Sequence, residues 1–153
     1  MRFVRRVLLG FVAFVAASAL AGLTVRRLMP EWGTPDDPEF RLVAAMDGRE
    51  VVASSQTLRV IEVVAVMGGV ELDLTEAQIV DGAVLKVTSV MGGVEVTVPS
   101  GWRVEAKPNV ILAGFVNATD PDAGRADAPV LIVDALLVMS GLEIGEAEPS
   151  DGG

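Results

Sequence analysis

The sequence predicts an all-β protein: a short β-solenoid, like a single-stranded β-helix, of about five coils, preceded by one N-terminal transmembrane helix. Three observations predict it. The string Val-Met-Gly-Gly occurs twice, at Val66–Gly69 and Val90–Gly93, inside a longer series of related segments. Those segments alternate apolar and polar residues as strands do. A separate apolar run occupies the N-terminus.

That run, Val7 to Val25, holds 19 residues without a charge. As a helix it would reach ~28 Å, close to the ~30 Å hydrocarbon thickness of a bilayer. It can be a transmembrane anchor over residues 1–27, or a cleaved secretory signal with Arg2, Arg5 and Arg6 as its basic start and Ala19-Leu20-Ala21 as its cleavage site. The run continues past that site and is closed by Arg26-Arg27, which favours the anchor. A helix of a globular core would need a polar face, and none is present. Three basic side chains precede the run and two follow it, which leans towards the N-terminus inside and the remaining chain outside.

Residues 28–40, LMPEWGTPDDPEF, contain three prolines, a glycine and four acidic residues and read as a linker. The repeat domain is expected over 41–145. Its segments begin at Ala45 (AMDGREVVA), Val66 (VMGGVELDL), Val90 (VMGGVEVTV), Ile111 (ILAGFVNAT) and Val138 (VMSGLEIGE). The aligned glycines Gly48, Gly69, Gly93, Gly114 and Gly141 are 21, 24, 21 and 27 residues apart. A period of about 23 residues marks a solenoid. Val, Ile and Leu dominate 57–66, 70–74, 83–90, 94–98 and 129–138, while Asp81-Gly82, Pro99-Ser100-Gly101 and the Gly-Gly pairs punctuate them as turns. A leucine-rich repeat has a similar period but lacks its Leu/Asn pattern here.

Each coil therefore holds two or three strands, with a corner at the glycines, whose freedom at positive φ and lack of a side chain suit a bend and close stacking. Two internal columns are expected: Met46, Met67, Met91, Leu112 and Met139, and Val70, Val94, Phe115 and Leu142, with Arg49 breaking the second. The extra length before the last copy coincides with the polar stretch 118–129. The acidic end, GEAEPSDGG, is expected to be disordered, with 146–153 as a tail.

Charge excludes one class of function. All 21 acidic residues follow position 30, and seven basic residues remain there, so that part carries a formal charge of −14. Nucleic acid would be repelled. The chain has no cysteine and no histidine.

No catalytic, cofactor-binding or metal-binding residues are expected. Gly92-Gly93 is followed by Val-Glu-Val, without the lysine, the hydroxyl or the helix of a phosphate loop. Asp120, Asp122 and Asp127 have part of a calcium-loop spacing but lack the remaining ligands. Glu71, Glu95 and Glu143 recur at one repeat position, skip the copy with Val116, and read as the solvated face of strands rather than an acid/base pair. A serine nucleophile would need Lys86 or Lys107 as its base, and neither stands in an S-x-x-K pattern. Trp102 reads as a cap on the solenoid edge.

Met67-Gly68-Gly69, Asp73-Leu74 with Ala77, Met91-Gly92-Gly93, and Val98-Pro99 with Gly101-Trp102 and Val104 follow one another in the order and spacing of a known pattern. Over residues 40–145 the chain resembles the C-terminal domain of LiaF-like proteins, the cell-wall-active antibiotic response family of bacteria. Methionine stands where that pattern has an aromatic residue. The resemblance implies a bacterial cell (inner) membrane protein, single-pass here, that carries a non-enzymatic β-domain in envelope-stress signalling. It would act by contact with a membrane protein such as a sensor kinase. A second reading is a self-assembling, homo-oligomeric scaffold of bactofilin type.

Overall fold

The computed structural model describes residues 2–120 and 126–148. Helix α1 (Arg2–Leu28) is followed by β1 (Glu39–Ala45), β2 (Gly48–Val52), β3 (Leu58–Val66), β4 (Gly69–Asp73), β5 (Ile79–Val90), β6 (Gly93–Val98), β7 (Arg103–Ile111), β8 (Gly114–Asn117), β9 (Val130–Val138) and β10 (Gly141–Glu146). The odd strands form one five-stranded sheet and the even strands a second. Every neighbouring pair in both sheets is parallel. Each repeat is a strand of the first sheet, a two-residue corner, and a strand of the second. The protein is thus mostly β, with one apolar N-terminal helix and two parallel sheets compatible with a β-helix-like fold.

The inner faces meet in the core. Ile61, Val63 and Ala65 of β3, Leu85 and Val87 of β5, and Leu131, Val133, Ala135 and Leu137 of β9 face Val70, Leu72, Val94, Val96, Leu142 and Ile144 of the second sheet. Full burial of one such Leu or Val is worth about 1.5–3 kcal/mol. The column expected at Val70, Val94, Phe115 and Leu142 is internal, with Phe115 only half-buried. Trp102, immediately before the edge strand β7, belongs to this core at 7 % exposure.

The repeats do not stack in chain order. The sheets run β1-β3-β5-β9-β7 and β2-β4-β6-β10-β8, so the fifth repeat sits between the third and the fourth. Strand composition accounts for this. On its inner side β9 carries Leu131, Val133, Ala135 and Leu137, each at most 1 % exposed. The register partners on β7 are Val104, Ala106, Pro108 and Val110, smaller or poorer in packing surface, and no residue of β7 is buried. Pro108 also lacks the N–H that a central strand must donate on one side, and proline in sheets is confined to edges. Of the stretch 118–129, expected as a bulge, residues 121–125 lie outside the described residues; the stretch falls between β8 and β9 in the sequence.

Two boundaries differ from expectation. The linker ends earlier, because Glu39 and Phe40 begin β1 and Phe40 is fully buried. The tail starts later, because Gly145 and Glu146 complete β10 against Thr97 and Val98; 149–153 lie outside the described residues.

The linker is held along the open edge of β1. Arg41 N–H donates to the Trp32 carbonyl at 2.7 Å in an antiparallel bridge. The Arg41 guanidinium lies 5.8 Å from the Trp32 ring centroid and pairs with Glu62 at 2.7 Å. Val43 N–H donates to Glu31 at 3.1 Å, and Glu31 also accepts from Arg49 at 2.5 Å. An edge that would otherwise offer free backbone groups is thereby occupied.

Gly68 and Gly92 are required by stacking. A Cβ on Gly92 would collide with the backbone oxygen of Gly68, and one on Gly68 with that of Asp47. Gly93 has open space at the same point. Gly92→Ala is therefore expected to destabilise by about 2 kcal/mol or more through forced backbone displacement, while Gly93→Ala stays within about 1 kcal/mol of the parent. Urea unfolding of the two variants checks this.

Candidate functional site

Among the described residues, the outer face of each sheet and the row of corners between them repeat the same kind of side chain from strand to strand.

The outer face of the first sheet is charge-balanced. In register across it stand Arg41, Glu62, Lys86, Asp134 and Lys107. The signs alternate along the whole row, and opposite charges on neighbouring strands stabilise a sheet. Lys86 and Lys107, the only lysines, are thus the two exposed neighbours of Asp134.

The outer face of the second sheet is different. Glu50 pairs with Glu71, Glu71 with Glu95, and Glu95 with Glu143. Four carboxylates stand on four adjacent strands, all exposed, with Val116 completing the row at the end. Two residues upstream on each strand is a glycine, so the row borders a column without side chains. Together they line a shallow groove of about 720 Å³, with Arg49 at one end. The expected skip at Val116 does not occur within the row, because the inner position of β10 brings Glu143 directly beside Glu95. Glu50 completes the row; it follows Gly48 by the spacing that separates Glu71 from Gly69, and that spacing is legible in the sequence. These side chains point outwards, as expected for the solvated face.

The corners overturn one expectation. Met46, Met67, Met91, Leu112 and Met139 do not form an internal column. They are 40 %, 38 %, 52 %, 86 % and 57 % exposed. Their φ angles are 64°, 52°, 53°, 50° and 48°. The left-handed conformation breaks the alternation of the preceding strand and turns the side chain out of the stack. The positive φ expected of the corner glycines therefore falls two residues before Gly48, Gly69, Gly93, Gly114 and Gly141. For a residue with a Cβ this conformation costs roughly 1–2 kcal/mol.

The backbone ladder nevertheless passes through the corners. The N–H of Met46 donates to Val66, that of Met67 to Val90, that of Met91 to Val138 and that of Met139 to Ile111, at 2.9–3.0 Å. On the other side Gly69 donates to Asp47, Gly93 to Gly68, Gly141 to Gly92 and Gly114 to Ser140, at 3.0–3.1 Å.

Helix α1 meets this row at its first member. A Cβ on Gly22 would lie 3.2 Å from the Met46 side chain, and Arg26 pairs with Asp47 at 2.5 Å. Residues Val4–Leu28 are long and apolar enough to cross a membrane.

The other residues weighed from sequence are dispersed. Asp120 and Asp127 are exposed on the connection before β9, and Asp122 lies outside the described residues. Among the described residues, no group of three or more His, Cys, Asp or Glu side chains is placed to hold a metal.

Comparison of the chain with protein-family models, curated proteins and solved structures gives no match.

The two sheet faces give opposite expectations for neutralising substitutions. Glu95→Gln removes a like charge from the middle of its row and raises the thermal midpoint at low ionic strength. Asp134→Asn removes the counter-charge of two lysines and lowers it. Both differences shrink at 1 M salt, where the screening length falls to ~3 Å, and calorimetry at two salt concentrations reads them.

Proposed function

We propose that the two sheets form a short β-solenoid of LiaF-like type, held at the bacterial cell membrane by α1. The domain takes part in the envelope-stress response through protein contact and without catalysis. The observation that carries this reading is the join between the apolar helix and the first repeat. Arg26–Asp47, Arg49–Glu31 and the stack of Arg41 on Trp32 fix the helix and its linker to the β-domain. All of these side chains follow Ala21, so the contacts hold the end of the apolar run and the linker against the β-domain.

The second sheet offers the contact surface. Its unbalanced row of glutamates beside a glycine column suits a basic segment of a membrane protein, such as the juxtamembrane region of a sensor kinase. Three basic residues before the apolar run against two after it favour the domain on the outer side. The scaffold reading is weaker: the linker occupies the open edge of β1, and Pro108 stands on the edge strand β7, where it discourages further strand addition.

A photo-crosslinking residue at Glu95, compared with one at Asp134, tests the contact in cells under cell-wall stress. Adducts to one membrane protein are expected at position 95 and not at 134. Equal labelling at both, or none at either, would count against the reading, and filaments of the purified chain in electron microscopy would favour the scaffold.

A further inference from the structure

We propose that the methionine corners rest in the interfacial layer of the bilayer, so that the β-domain is seated on the membrane along this edge and does not hang free from α1. The proposal rests on the reading of α1 as a membrane span and adds a second membrane contact to it.

The path of the chain assigns the corners to the side from which α1 departs. β1 runs from Glu39 to Ala45 and reaches its corner at Met46. The linker lies antiparallel to it, with Trp32 beside Arg41 and Glu31 at Val43. Followed towards the N-terminus, the chain therefore heads for the corner. There Arg26 meets Asp47 and Gly22 meets Met46. Beyond this point, from Val4 to Ala21, only Ser18 is even half-buried, so the helix leaves the domain at the corner. All strands of each sheet are parallel and in register, which places the other four corners on the same side.

The depth agrees. Gly22 lies three residues inside the apolar run that ends at Val25, or ~5 Å along a helix. A side chain packed against Gly22 sits at that level, and interfacial segments bury their apolar face by about 5–10 Å. Among the corner residues and their immediate neighbours, Asp47 alone is charged, and it is paired with Arg26. The first unbalanced charges, the glutamate row, begin two residues beyond the corner glycines, roughly 7 Å along the strand. They set a limit to immersion and keep the acidic part of the domain out of the apolar layer.

Neither folding nor packing accounts for methionine at these positions. The side chains are exposed, and the backbone conformation favours glycine or asparagine. The bend itself serves stacking; an exposed apolar side chain at the bend, where glycine or asparagine would be less strained, points to a second use. A flexible, unbranched apolar side chain suits a soft, irregular surface such as lipid.

The chain has no cysteine, so one introduced thiol carries one probe. The full chain, with an environment-sensitive fluorophore on Met139→Cys, Val15→Cys or Glu95→Cys, is reconstituted into phosphatidylcholine vesicles. Quenching by spin-labelled lipid is expected to be at least threefold stronger at positions 15 and 139 than at 95. If position 15 is quenched and 139 behaves like 95, the seating is wrong and the anchoring stands. If position 15 is not quenched, both are wrong. Protection of position 139 from an aqueous quencher without lipid quenching, together with disulfide-linked dimers of Met139→Cys, would show a second copy on the ridge and overturn the proposal. A double variant, Met67→Asn with Met91→Asn, provides a folded control because asparagine accepts the left-handed corner. It should keep the circular dichroism and unfolding midpoint of the parent and lose at least half of the lipid quenching at position 139. Unchanged quenching in that variant would also overturn the proposal.

Discussion

The structure depends on in-register stacking of the corners. Each corner except the one at Leu112, which ends the stack, donates one backbone hydrogen bond to the next repeat before it bends and accepts another after it. At the second and third repeats this stacking brings the backbones so close that a Cβ on Gly68 or Gly92 would collide, while Ser140 and Ala113 occupy the corresponding position of the fifth and fourth repeats. Strand register, the alignment of inner columns and the rows of charge on the outer faces all follow from this one constraint. Parallel strands have no hairpin to set their register; here the corner performs that task.

Once register is fixed, the order of the repeats becomes a choice between competing surfaces. In chain order, Val116 would separate Glu95 from Glu143 and relieve the acidic row. Lys86 and Lys107 would then be neighbours at the equivalent position of the other sheet, and Pro108 would fall in a central strand. Like charges on adjacent strands cost a fraction of a kcal/mol to about 1 kcal/mol each. Full burial of Leu131, Val133 and Leu137 gains about 1.5–3 kcal/mol each over exposure. Core burial decides the order, charge alternation on the first sheet reinforces it, and the second sheet is left with four stacked carboxylates.

The period was legible from the aligned glycines Gly48, Gly69, Gly93, Gly114 and Gly141, although the close approach that excludes a Cβ falls one residue earlier, at Gly68 and Gly92 only. The buried column at Val70, Val94 and Leu142 was legible from alternation. Exposure of the methionines was not: hydrophobicity suggests an interior, and nothing in a methionine signals the φ at which it will be held. Repeat order was partly legible. Pro108 disfavours a central position for the strand that holds it, and the 27-residue spacing before Gly141 supplies the length needed to return, yet neither says which earlier strand receives β9. Glu50 was in plain view at its spacing from Gly48 and was obscured by Arg49, which breaks the apolar pattern of that copy. Arg49 answers to Glu31, on a linker whose composition suggested no fixed position.

That linker connects the two halves of the molecule. Glu31 bonds the edge of β1 and Arg49 together, Trp32 stacks on Arg41, and four residues beyond Gly22 Arg26 holds the first corner through Asp47. A flexible tether would need none of these. Exposed ion pairs of this kind are each worth little, but several of them along one short segment, with an aromatic stack and a backbone bridge, fix a direction. The direction they fix sends α1 past the corner row and away from both sheets. The same geometry accounts for the one strained and exposed feature shared by all five repeats. The corner must bend for the sheets to stack, and the residue at the bend is left facing the side on which the apolar helix leaves.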